Sequence, residues 1–113
     1  MRKITAIVYE TMIPEFRAVD VTGWESIAWG NQMIVTKQVL GHWQVYDTDS
    51  RMLVVRYADS RQDALAQLEQ AEADITTETY KQAVRYWKNR QGRLEESEQS
   101  ISFRLNTARN GAI

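Results

Sequence analysis

The chain has 113 residues, 43% hydrophobic and 26% charged, the make-up of one globular domain. It contains no cysteine, which excludes disulfides, thiol catalysis and thiolate metal sites. A net charge of −1 argues against a general polyanion binder, and the start, MRKITAIVYETMIPEF, is too polar and its apolar run too short for a signal peptide or membrane span. A single domain (1–113) in a cytoplasmic setting is the expectation, with a β-rich part (1–58), a helical part (59–105) and a flexible tail (106–113).

The first half reads as strands. KITAIVY (3–9) is rich in β-branched residues, and the only proline, Pro14, falls in the stretch ETMIPEF, read as a loop. RAVDVT (17–22) reads as a short strand stopped by Gly23. WESIAW (24–29) and QMIVTKQVL (32–40) flank Gly30-Asn31, a hairpin link, and Gly41 separates the latter run from HWQVYDT (42–48). The next run is RMLVVRYA (51–58), with Asp49-Ser50 at the turn. No stretch between these runs is long enough for a helical crossover, so three to four antiparallel strands are expected. Period two puts Leu53, Val55 and Tyr57 on one face opposite Met52, Val54 and Arg56, and Trp43 and Val45 opposite His42, Gln44 and Tyr46. Both faces carry apolar groups, so helices on one face would leave aromatic surface on the other.

The second half changes to a helical period. Ser60 and Asp63 resemble a capping box, and Ala64, Leu65, Leu68, Ala71 and Ile75 form one stripe, giving an amphipathic helix over 61–74. DITTET resets the chain, with Thr76 or Thr77 as the next N-cap and a second helix from about 78. There, Tyr80, Val84, Trp87, Gln91, Leu94, Glu98, Ile101 and Leu105 keep a heptad spacing. Unbroken, that helix would be about 42 Å long; it either protrudes and pairs with a second copy or breaks near Gly92. The expected fold class is therefore α+β: an antiparallel sheet followed by two helices, the second long.

Charge is segregated along this half. Residues 59–79 carry six acids against Arg61, and residues 80–94 carry five bases and no acid. Two neighbouring helices of opposite sign attract each other, and asymmetry of this kind does not by itself name a partner. On the second helix, Lys81, Arg85 and Lys88 share one flank and Tyr86, Arg90 and Arg93 the other. Trp87 lies within the apolar seam, out of reach as a base-stacking platform.

Catalytic patterns are missing. His42 is the only histidine and has no nucleophile-elbow glycine pattern to serve. Asp47 and Asp49 in YDTDSR faintly resemble a cation loop, but the remaining ligand positions are absent and turn chemistry explains them. The five glycines are isolated, so no phosphate loop exists, and no cofactor or metal site is expected.

These features fit a non-enzymatic protein–protein interaction module. Small antagonist proteins of phages and mobile elements that inhibit a bacterial complex are one such class. The candidate partner-binding residues are Asp63, Glu69, Glu72 and Asp74 on the acidic helix, which could occupy a cationic channel on a partner. Trp24 and Trp29 are added because residues of one strand on opposite faces cannot both be covered by the same helices. The alternative is a DNA- or RNA-binding protein working through Lys81, Arg85, Tyr86, Lys88, Arg90 and Arg93. A homodimer sealed by the second helix is the structural reading.

Overall fold

The computed structural model describes residues 1–12 and 15–90. Five antiparallel strands pair in simple sequence order, β1 (Lys3–Met12), β2 (Glu15–Ala28), β3 (Asn31–Lys37), β4 (Trp43–Asp47) and β5 (Leu53–Ala58). Two helices follow, α1 (Arg61–Asp74) and α2 over residues 77–90. The α+β class and the antiparallel order are as the sequence indicates. Gln91, Gly92 and the rest of the heptad, with the expected tail, lie outside the described residues.

The strand count is five rather than three to four, and Gly23 accounts for part of the difference. It does not stop a strand: Gly23 pairs with Ile4 in the middle of β2. A Cβ there would stand 2.3 Å from the Val35 carbonyl oxygen, so the missing side chain is what allows β2 to press against β3. Thr36 confirms the close approach by donating its hydroxyl to the Thr22 carbonyl at 2.9 Å. The stretch read as a loop around Pro14 is likewise shorter than expected, since β1 continues to Met12 and β2 starts at Glu15.

Beyond Gly23 the β1–β2 hairpin pairs with no third strand among the described residues and becomes an arm. Its inward residues Ile4, Ala6, Val8, Val19 and Val21 pack with Ile34, Tyr46 and Leu53 on the sheet face away from the helices. The Tyr9 amide donates to the Arg51 carbonyl at 3.3 Å, and the Arg51 guanidinium sits 5.5 Å from the Tyr9 ring centre, so the first strand reaches the start of the last. Part of the second face is thus covered by the chain itself, while Tyr57 near the end of β5 stays exposed.

The other face holds the larger core: Ala28, Trp29, Met33, Val35, Val45, Val55 and Ala58 packed with Ala64, Leu68 and Tyr80 from the helices. α1 has the bounds its stripe indicated. Ser60 caps it by accepting from the Asp63 amide at 3.0 Å, and Asp63 returns the bond to the amide of Asp59, one residue before the cap. Thr76 caps α2, its hydroxyl oxygen accepting from the Thr79 amide at 3.2 Å.

Period two fails in β5. Tyr46 pairs with Leu53 but Val45 with Val55, so a bulge inserts Val54, and a second irregularity separates the Val45 and Trp43 pairs. Leu53 therefore joins the arm-side core while Val54 and Val55 both pack on the helix side, and Tyr57 is left exposed. Leu53, Val55 and Tyr57 do not share a face.

Gly23→Ala should cost about 1–3 kcal/mol, because its contact is backbone and cannot swing aside. The urea midpoint reads this at unchanged slope; an unmoved midpoint would rule out the tight approach of β2 to β3.

Candidate functional site

The β2–β3 link is Trp29-Gly30, one residue earlier than the sequence suggests, because Ala28 pairs with Asn31. Both link residues have positive φ, 51° for Trp29 and 76° for Gly30, the geometry of a two-residue hairpin turn. A tryptophan in that region is strained, and three contacts hold it. Its amide donates to Glu72 Oε2 at 2.7 Å, its indole Nε1 donates to the Ile75 carbonyl at 2.9 Å, and its ring lies on Tyr80 at 4.1 Å between centroids.

Beside it, Asp47 is fully buried at the end of β4. Its Oδ1 accepts from the Asp49 and Ser50 amides at 2.9 and 3.1 Å, and its Oδ2 accepts from Asn31 Nδ2 at 3.3 Å and from the Tyr80 hydroxyl. Turn chemistry thus occupies one carboxylate oxygen and helix attachment the other. Burial, then the Asp47 carboxylate, push the Tyr80 phenol well above its ordinary range. Two turns further along α2, Trp87 Nε1 donates to the Ser50 carbonyl at 3.0 Å, and Lys88 pairs with Asp49 at 3.3 Å.

This junction uses up several residues singled out from sequence. Trp29 is 8% exposed. Trp24 does not oppose it: both tryptophans pack on the helix-side core, because the left-handed turn at Trp29 breaks the strand's alternation. The Arg61 guanidinium covers Trp24 at 4.9 Å. Glu72 is bonded to Trp29; Asp63 accepts from Asp59 and Gln67; Asp74 accepts from Gln70; Glu69 lies exposed on α1. On α2, Tyr80, Val84 and Trp87 face the protein's own sheet and turn, so this part of the seam is filled within one chain. Lys81, Arg85, Tyr86, Lys88 and Arg90 are exposed, and Arg93 lies outside the described residues.

The surface that sequence reasoning missed is at the other end of the sheet. QMIVTKQVL is not strand to its end: β3 stops at Lys37, and residues 38–42 form a loop. The Gly41 amide donates to the Gln38 carbonyl at 2.9 Å, and the Gln38 amide to the His42 carbonyl at 2.7 Å, with Gly41 at φ 98°. Val39 and Leu40 are therefore the two central residues of a closed turn, and their exposures are 103% and 90%. Turn centres ordinarily carry glycine, proline, asparagine or aspartate. Close by, His42 stacks on Tyr57 at 5.2 Å, and Tyr57 is 59% exposed. The available signal was Gly41, since glycine is favoured at the last position of such a turn.

Among the described residues no group of three or more histidine, aspartate or glutamate side chains is placed to hold a metal ion, and no helix is long and apolar enough to cross a membrane. No protein-family model matches the chain, and no curated protein or solved structure is significantly similar to it.

Tyr80→Phe removes one donor from a buried carboxylate and should destabilise the protein by about 1–3 kcal/mol. The raised Tyr80 pKa adds a pH signature. The folded state favours the protonated phenol, so this stabilisation is whole below about pH 10, the ordinary tyrosine value, and declines as pH rises beyond it. Urea midpoints between neutral and strongly alkaline pH should fall less steeply in Tyr80→Phe than in the parent; parallel curves would deny Tyr80 this role.

Proposed function

We propose that the chain is a non-enzymatic protein–protein interaction module that docks through the 38–42 loop and the adjoining Tyr57. The observation that carries this reading is the full exposure of Val39 and Leu40 at the centre of a turn whose backbone is closed by two hydrogen bonds. Neither side chain supports the fold. A preformed apolar tip also binds without first having to be ordered, which is the main saving open to a small interface. Tyr57 adds an amphipathic ring of the type that anchors interfaces.

The acidic helix is the weaker candidate for the contact. Asp63 and Glu72 already bond the helix cap and the Trp29 turn, so reversing them would damage the fold as well as any interface. Nucleic-acid binding by α2 is the second reading, favoured by the exposure of Lys81, Arg85 and Tyr86 on the helix face away from the core.

A photo-reactive residue at position 40, introduced into the protein in its source cell, should give discrete protein adducts, and the same probe at Glu69 should not. Val39→Asp with Leu40→Asp should abolish binding to the cross-linked protein at an unchanged unfolding midpoint. Equal labelling from both positions would sink the docking reading. The second reading expects instead a duplex or single-stranded oligonucleotide to be retarded in a gel at low salt and released by Lys81→Ala with Arg85→Ala.

A further inference from the structure

We infer that the partner of the 38–42 loop is a protein pocket with an apolar floor and carboxylates on its rim. This inference rests on the loop being the docking end and adds the chemistry of what receives it.

The charges around the tip carry the argument. No aspartate or glutamate occurs from residue 26 to residue 46, so β3, the loop and β4 up to Tyr46 contribute only Lys37 and His42 as ionisable side chains able to bear positive charge. Lys37 is exposed at the foot of the loop. It pairs with Trp43, which pairs with Ala58, so one row crosses three strands and brings the end of β5 alongside. Arg56 is exposed there, next to the Tyr57 that stacks on His42, and Gln44 holds the Arg56 carbonyl at 2.9 Å. The described acids at the end of β5 and the start of α1 are Asp59 and Asp63; Asp59 is exposed one residue past Ala58 and offsets part of the Arg56 charge, leaving Lys37 as the cation at the foot of the loop. Asp63 is engaged, its carboxylate accepting from the Asp59 amide and from Gln67 Nε2 at the helix cap. Lys37 and Arg56 thus flank an apolar tip with no acid between them along β3, the loop and β4 up to Tyr46. Such an arrangement is complementary to an apolar hollow edged by carboxylates, whose charges would orient the approach while the hollow takes the two side chains.

A lipid surface fits less well. Val39 and Leu40 together offer seven side-chain carbons, about half the length of a myristoyl chain, which by itself gives only marginal, reversible membrane binding. Lys37 and Arg56 are two cations, short of the clusters of about four to eight that dock on anionic lipid. A pocket, by contrast, surrounds both side chains and excludes water from all sides.

The test uses the full chain and the protein cross-linked from position 40, purified. Lys37→Glu with Arg56→Glu should weaken binding about tenfold, mainly through slower association. Parent binding should weaken between about 0.01 M and about 1 M salt, as the screening length falls from about 30 Å to about 3 Å. Changing carboxylates at the partner's cross-linked site to lysine should restore binding of the Lys37→Glu, Arg56→Glu protein. If that double variant binds as the parent does while Leu40→Asp still blocks, the acidic rim is refuted and the docking reading stands. If position 40 yields no protein adduct, both fall. Sedimentation with vesicles of phosphatidylcholine and phosphatidylserine that depends on Leu40 would replace the protein pocket with lipid.

Discussion

Asp47 is the constraint on which the arrangement of the other elements rests. A carboxylate removed from water must be met by donors or it destabilises the fold severely. Here the donors come from three places: the Asp49 and Ser50 amides in the following turn, Asn31 at the start of β3 and Tyr80 on α2. Satisfying one residue therefore fixes the β4–β5 turn, the neighbouring hairpin and the position of the second helix together. Ser50 extends the chain of dependence, since its carbonyl receives the Trp87 indole. Trp29 locks the same corner from the other side through Glu72, Ile75 and the Tyr80 ring.

What the sequence made legible was local. The bounds of α1 follow from a stripe and a cap that lie within sixteen residues, Ser60 to Ile75, and neither needs a distant partner. The antiparallel order follows from short links. What remained hidden was set by contacts far along the chain. Trp29 takes the left-handed turn position because groups on residues 72, 75 and 80 secure it, and nothing in WGN discloses that. Gly23 looks like a breaker by composition, yet its role is to admit the Val35 backbone. Val39 and Leu40 are the exception: they read as a continuing strand because they extend the run from Met33, and two local backbone hydrogen bonds, Gly41 to Gln38 and Gln38 to His42, close them into a turn instead.

Of the candidate site, the exposure of its aromatics was not legible. Trp24 and Trp29 were singled out as candidate anchors, but both pack on the core beneath the helices, and Tyr57 is the aromatic left exposed beside the β4–β5 irregularities. Bulges cannot be read from alternation because they are departures from it. The result is a division of labour along the sheet. One end carries the buried carboxylate and the helix attachments; the other, roughly 15–20 Å away along strands of five to seven residues, carries the exposed loop. Changes at one end can alter stability with little effect on the other.

The convexity of that loop has a consequence for how the protein behaves among its own copies. A flat apolar strand edge would zip to an identical edge, which is the usual hazard of exposed β structure. Two narrow turn tips meeting head-on share very little area, whereas a hollow of matching size encloses both side chains at once. The same two residues can thus be conspicuous to a foreign surface and nearly invisible to themselves, so that shape, more than oiliness, tells the protein what to ignore.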